Sequence, residues 1–217
     1  MIDLHTHTIF SDGELIPSEL IRRFEVIGYS SVALTDHADS SNLDFIVPRI
    51  KNVAKVLNQS QSVKVFPGVE LTHLTPSMMS SMVKKARELG AVIVVIHGES
   101  IVEPVMDGTN RAGIEAEADI LAHPGLITLE EASLAADKGV FLEISGRAGH
   151  SLSNGHVAKC AVKAGAKLIL NSDAHAPHDL MNKSFAQKVV EGAGLKKDSL
   201  EELLANSRFL IQRIIMS

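Results

Sequence analysis

Cysteine occurs once in the 217 residues, at position 160. No intramolecular disulfide can form, which suits a reducing compartment and leads us to expect a cytoplasmic protein. Cys160 lies among Val157, Ala158, Ala161 and Val162, so a buried helical position is expected for it. A basic surplus is lacking too. The 21 Lys and Arg are outnumbered by 26 Asp and Glu, for a formal net charge of −5, and no basic surface advertises nucleic acid as a partner. No run approaches the ~18 apolar residues of a membrane span. The N-terminus opens on Ile2, Leu4, His5 and His7, without the basic segment and apolar stretch of a signal peptide. Long linkers, charge runs and low-complexity segments are missing as well. The expectation is a single domain over residues 1–217, 45% apolar, a size that suits one α/β barrel.

What the chain has is histidine, ten in all, placed with a pattern. Short, almost continuously apolar runs such as Val92–Ile96 and Lys167–Leu170 read as parallel strands covered on both faces. Strands are expected near 2–5, 31–35, 63–69, 91–96, 119–122, 140–144 and 167–171. Helices are expected near 17–27, 45–58, 76–89, 111–117, 129–138, 154–164, 179–192 and 198–206. Gly28, Gly90, Gly139 and Gly165 each close an amphipathic segment ahead of an apolar run, as glycine does after a helix. The tail from Arg208 to Met216 is apolar for a terminus and is expected to pack on the barrel or at a subunit contact.

Nine metal-binding side chains fall where these strands end: His5, His7, Asp12, His37, Glu70, His97, His123, Asp173 and His175. Unpartnered polar groups at such places cost a few kcal/mol, so their recurrence needs a common cause. His5 and His7 lie two apart and point the same way along a strand, and Asp173 and His175 repeat that spacing. In a barrel all strand C-termini converge on one mouth, whereas an open sheet would string them along an edge. Counting about three protein ligands per catalytic zinc, nine residues with one bridging carboxylate suit three divalent ions. Imidazole-rich sites favour zinc or iron, and admixed carboxylates also suit manganese.

These motifs resemble the polymerase and histidinol phosphatase (PHP) family over nearly the whole chain. His5, Thr6, His7 and Asp12 match its first motif; Thr35, Asp36 and His37 its second; Glu70, His97 and His123 its central ligands; and Ser172, Asp173, Ala174 and His175 its last. The resemblance implies an α/β fold, a distorted (β/α)7 TIM-like barrel with the metal site at its C-terminal mouth. It implies one ion on His5, His7, Glu70 and Asp173, a second on Glu70, His97 and His123, and a third on Asp12, His37 and His175. The activity it implies is hydrolysis of a small phosphomonoester, histidinol phosphate being the leading specific substrate, by in-line attack of a metal-bridging hydroxide with Glu70 and Asp173 as catalytic ligands. One alternative is a phosphodiesterase or exonuclease on nucleotides or short oligonucleotides. Another is a non-catalytic RNA-binding scaffold like the barrel subunit of ribonuclease P, which predicts a basic surface and an eroded ligand set. The amidohydrolase family also opens with His-x-His, but it usually carries a lysine where this chain has His97.

A phosphorylated substrate calls for guanidinium groups, which grip phosphate through two bonds. Arg111 and Arg147, in loops after the fourth and sixth strands, are the expected phosphate-binding residues, with His150 and His156 as further substrate contacts. Asp3 and Asp36 are placed to orient ligand histidines, and Glu143 ends the sixth strand, as a site residue or a buried hydrogen-bonded carboxylate. His73 and His178 are expected to be solvated or capping groups. The sequence does not give an oligomeric state.

Overall fold

The computed structural model describes residues 1–216. Eight strands form: β1 (Ile2–Asp3), β2 (Ser31–Leu34), β3 (His37–Ala38), β4 (Lys64–Leu71), β5 (Ile93–His97), β6 (Ile120–Ala122), β7 (Phe141–Ser145) and β8 (Leu168–Asn171). All pair in parallel, in the order β1-β2-β4-β5-β6-β7-β8, and β3 also pairs with β4. β3 follows β2 after a two-residue break at Thr35 and Asp36, so the seven expected strand positions hold and one of them is interrupted. The helices are α1 (Pro17–Val26), α2 (Leu43–Ser60), α3 (Met79–Leu89), α4 (Thr109–Glu115), α5 (Leu129–Lys138), α6 (Asn154–Ala164), α7 (Lys183–Gly192) and α8 (Ser199–Met216).

The strands read as unbroken apolar runs because both faces are covered. Val32, Leu34, Val65, Val94, Ile96, Leu121, Leu142 and Leu170 join the large cluster shared with the helices. Leu4, Ala33, Phe66, Ile93, Val95, Phe141 and Ile169 fill a smaller cluster inside the barrel. Side chains two apart on a strand share a face, so the inner face runs from apolar bottom to polar mouth: Phe66 to Glu70, Val95 to His97, Phe141 to Glu143, Ile169 to Asn171 and on to Asp173.

The barrel is nearly closed. Between β1 and β8 the join is one bridge, Thr6 with Ala174, supplemented by side chains. Leu4 N donates to Asn171 Oδ1 at 2.8 Å and Ser172 N to Asp3 Oδ2 at 3.0 Å. The opposite end is plugged by α8, whose Leu210 and Ile211 belong to the inner cluster. The apolar tail thus packs on the barrel, and its helix continues to Met216 instead of ending near residue 206. α7 begins at Lys183, not near 179, because Pro177–Asp179 form a separate 3-10 turn and Asn182 caps the helix by accepting from Phe185 N. Cys160 is partly buried rather than fully so. No helix among the described residues is long and apolar enough to cross a membrane.

Candidate metal centre

Glu70, fully buried at the end of β4, is the hub of the mouth. Its Oε1 lies 3.4 Å from His5 Nε2, 3.2 Å from His97 Nδ1 and 3.5 Å from His123 Nε2. Its Oε2 lies 2.6 Å from His37 Nδ1 and 3.6 Å from His7 Nε2. Asp173, on the segment after β8, is the second hub. Its Oδ1 is 3.2 Å from His7 Nε2, 3.4 Å from His175 Nδ1 and 3.6 Å from His5 Nε2. Asp12 reaches in from the first loop with its side chain 57% exposed, 3.2 Å from His175 Nε2 and 3.6 Å from His37 Nε2. All nine expected ligands therefore meet at one mouth. Two of them, His123 (φ 28°) and Asp173 (φ 52°), sit in the left-handed region, a cost that surrounding structure must override. Past His123 the chain turns at Gly125 (φ 58°), where a Cβ would meet Glu99 O at 1.8 Å; only glycine fits there.

The polar atoms themselves test whether metal ions suit this site. Of the ten buried side-chain nitrogens and oxygens without a hydrogen bond among the described residues, seven belong to the nine. They are His5 Nε2, both ring nitrogens of His7, Glu70 Oε2, His97 Nε2, His123 Nδ1 and Asp173 Oδ1. Left bare, such atoms are costly; as ligands most of them face a common centre. Donor atoms within 4.8 Å of one another group as His7, Asp12, His37 and His175; as His5, His123 and Asp173; as His5, His7 and Glu70; and as His37, Glu70 and His97. Imidazole nitrogens with admixed carboxylates fit a multinuclear site for zinc-like ions.

Neighbouring groups aim these ligands. Glu143 Oε2 accepts from His5 Nδ1 at 2.7 Å and from Asn171 Nδ2 at 3.0 Å, which leaves His5 Nε2 facing Glu70 and Asp173. His175 Nδ1 meets Asp173 O at 2.9 Å. Asp36 does not orient His37 as expected. Its carboxylate accepts from Thr8 and Ser11, backbone and hydroxyl alike, and so shapes the loop that carries Asp12. Asp3 accepts from the backbone of His5 and Ser172, not from a ring.

Electrostatics follow from this crowding. Burial opposes charge on Glu70, but His37, His5 and His97 outweigh it and hold the carboxyl well below its usual range. Burial likewise opposes charge on His5, yet Glu143, Asp173 and Glu70 raise it well above an ordinary imidazole. His7 goes the other way, lowered well below by burial and then by His37 and His175. Burial pushes Asp3 up to about 7.

Of the four expected substrate contacts, the structure brings two to the mouth. Arg147 Nη1 lies 3.3 Å from Asp173 O and 3.7 Å from Asp179 Oδ2. His150 is buried, its ring stacked on His123 at 4.0 Å and its Nδ1 2.6 Å from Ser100 Oγ. The other two are not brought there. Arg111 pairs with Glu115 and Glu130 across the outer helices, and His156 on α6 meets the Ile127 carbonyl at 2.8 Å. Neither makes an ion pair or hydrogen bond with the nine. Glu103 escapes a sequence reading. It stands in an irregular loop after β5, at no strand end, yet its carboxylate reaches His97, His150 and His73. His73 is consequently paired, not merely solvated.

Comparison with known proteins now decides the family, because residues 3–191 match the PHP domain. The chain belongs to the PHP family. An uncharacterized protein of Methanocaldococcus jannaschii is 47% identical over 215 residues, 98% of this chain and 99% of that one. Ribonuclease P protein component 3 of Methanosarcina mazei is 28% identical over 219 residues, covering 94% and 84% of the two chains. A probable phosphatase of Thermoanaerobacter is 28% identical over 221 residues, covering 91% and 88%. Among solved structures, the histidinol phosphate phosphatase of Lactococcus lactis, complexed with zinc, L-histidinol and phosphate, matches with a TM-score of 0.62. It covers 90% of this chain and 94% of that one at 16% identity, a likeness of fold. The PHP barrel expected from the motifs is thus the fold observed.

Proposed function

We propose that this PHP chain is a metal-dependent phosphoesterase that hydrolyses a small phosphomonoester. The carrying observation is the buried mouth, where both hub carboxylates and the imidazoles around them are left with unpaired polar atoms directed at one another. Three divalent ions of zinc, manganese or iron type would be held there by His5, His7, Glu70 and Asp173, by Glu70, His97 and His123, and by Asp12, His37 and His175. Bound ions of this kind supply an activated water and offset the charge of phosphate oxygens. The chain's own residues do the rest. Glu143 fixes the ring of His5, and Glu70 and Asp173 tie the groups together. Arg147 presents a partly buried guanidinium at the rim, where it can grip phosphate through two bonds. His150, wedged between His123 and Ser100, holds a second polar contact beside it. Histidinol phosphate is the leading substrate, supported by the fold likeness to a phosphatase of that compound.

Phosphate release from a panel of monoesters, histidinol phosphate included, tests the reading with and without chelator. Release that stops on chelation and returns with divalent metal is expected; equal rates in chelator would end the proposal. A bis-aryl phosphodiester run in parallel separates monoesterase from diesterase. A second reading, an RNA-associated scaffold, is favoured by the similarity to ribonuclease P protein component 3. It predicts RNA binding that survives Glu70→Gln, together with no turnover on any ester.

A further inference from the structure

We propose that Phe45 and Phe10, with Arg49 beside them, form a stacking platform for a flat nitrogen heterocycle carried by the alcohol part of the substrate. Taken with the phosphomonoesterase reading, on which it rests, the platform makes the substrate an ester of a ring-bearing alcohol. The mouth is most open at one edge. Of the nine expected ligands seven are buried, whereas the side chains of Asp12 and His37 are 57% and 23% exposed, 3.6 Å apart. An ester bound at the centre needs an open side for its alcohol, and Asp12 and His37 stand on it.

The two phenylalanines belong to the segments that carry these two ligands. Phe10 is two residues before Asp12, on a loop whose Thr8 and Ser11 amides are held by the Asp36 carboxylate. Its own N–H donates to Thr8 Oγ1 at 3.2 Å. Phe45 lies in the first turn of α2, the helix entered from His37. Asn42 ties that turn to the ligand: its Nδ2 donates to His37 O at 3.4 Å, and its carbonyl accepts from Phe45 N at 3.0 Å. The rings meet edge to face, with centroids 6.5 Å apart and planes inclined by 71°, an arrangement aromatic pairs favour. Both rings are thereby fixed relative to the open edge.

Arg49 decides what this surface suits. One turn on from Phe45, its guanidinium carbon lies 3.6 Å from the Phe45 ring centroid, and its Nη1 donates to Phe45 O at 2.8 Å. No carboxylate pairs with it among the described residues. Phe45 still keeps 49% of its area open, and Ile9, next to Phe10, keeps 53%. Apolar area alone would suit an alkyl chain. An open π-face joined to an unpaired guanidinium is instead the combination on which nucleobases and related heterocycles stack. The formal net charge of −5 argues against a long polynucleotide as the carrier of the ring, because polyanion binding draws on a basic surface. A small monoester fits both the charge and the platform.

Zinc-loaded protein with isotope-labelled phenylalanine rings is titrated with adenosine, L-histidinol, ribose and glycerol, alcohols that cannot turn over. The signals of Phe10 and Phe45 are expected to shift with adenosine or with histidinol and to stay in place with ribose and glycerol; the responding arm tells purine from imidazole. In parallel, kcat/KM is measured for adenosine monophosphate, histidinol phosphate and ribose phosphate. The ratio of the better ring ester to ribose phosphate is expected to fall at least about tenfold in Phe45→Ala and to be kept in Phe45→Trp. Phe209→Ala, which removes a similarly open phenylalanine from α8 at the other end of the barrel, should leave that ratio at the wild-type value. Metal content by elemental analysis should match wild type in all three. An unchanged ratio in Phe45→Ala, or ring signals indifferent to both heterocyclic alcohols, would overturn the platform. Hydrolysis of none of the esters, with the ring shifts intact, would sink the phosphomonoesterase reading while upholding the binding of a ring.

Discussion

Glu70 faces His5, His7, His37, His97 and His123 through two oxygens, and with Asp173, which faces His5, His7, His123, His150 and His175, it ties the mouth together. Glu70→Gln keeps its size and removes its charge, and it is expected to abolish turnover and lower metal content together, by elemental analysis. Retained metal with lost activity would limit Glu70 to the chemistry. Glu143 acts one step back. Glu143→Gln should weaken metal affinity by about 10–100-fold while the barrel stays folded, because it removes the negative charge from the acceptor that aims His5. Asp3 carries a pH prediction. Its carboxyl is raised from 3.8 to about 7 by burial. Between those values the native state holds a proton that the unfolded state has released, so its contribution to stability falls as pH rises through this window. Measured by urea denaturation of metal-free protein, the advantage of wild type over Asp3→Asn should shrink from about pH 4 to about pH 7. An advantage that grows would contradict the burial argument.

Two elements divide the work of positioning and of support. The turn after β6 must reverse within three residues to place His123, and Gly125 allows it. Gly125→Ala would drive a Cβ into Glu99 O at a backbone angle that side chains avoid. The turn must open, with a cost of about 1–3 kcal/mol and a drop in bound metal measured alongside. α8 has the opposite profile. Leu210→Ala removes a fully buried side chain from the barrel floor and should cost about 2–5 kcal/mol by urea denaturation, with metal content unchanged. Boundaries were legible where local chemistry sets them. α5 and α6 run over the spans expected, and Gly139 and Gly165 follow them in left-handed conformation. α7 was misplaced because a proline-initiated turn looks like a helix start until the chain is seen to straighten at Leu180.

For the molecule as a whole, the mouth concentrates buried polar atoms without protein hydrogen-bond partners, so the proposed function predicts that metal binding and folding are linked. Chelation should lower the thermal midpoint in calorimetry, and zinc should restore it, with about 2.7 kcal/mol gained when free zinc reaches 100 times its dissociation constant. A midpoint indifferent to zinc would argue against the site as drawn. The sequence alone determined the barrel and the strand ends at which the nine candidate ligands gather. Both rest on short-range rules: strands covered on two faces read as apolar runs, and side chains two apart share a face, so donors at successive strand ends must converge. Only the tertiary structure decided which donors meet. The path of an irregular loop brings Glu103 and His73 to His97, packing between α4 and α5 draws Arg111 away to Glu130, and side chains of Asp3 and Asn171 stitch the seam between β1 and β8. Such contacts depend on register and loop trajectory over long separations, and no local periodicity encodes them.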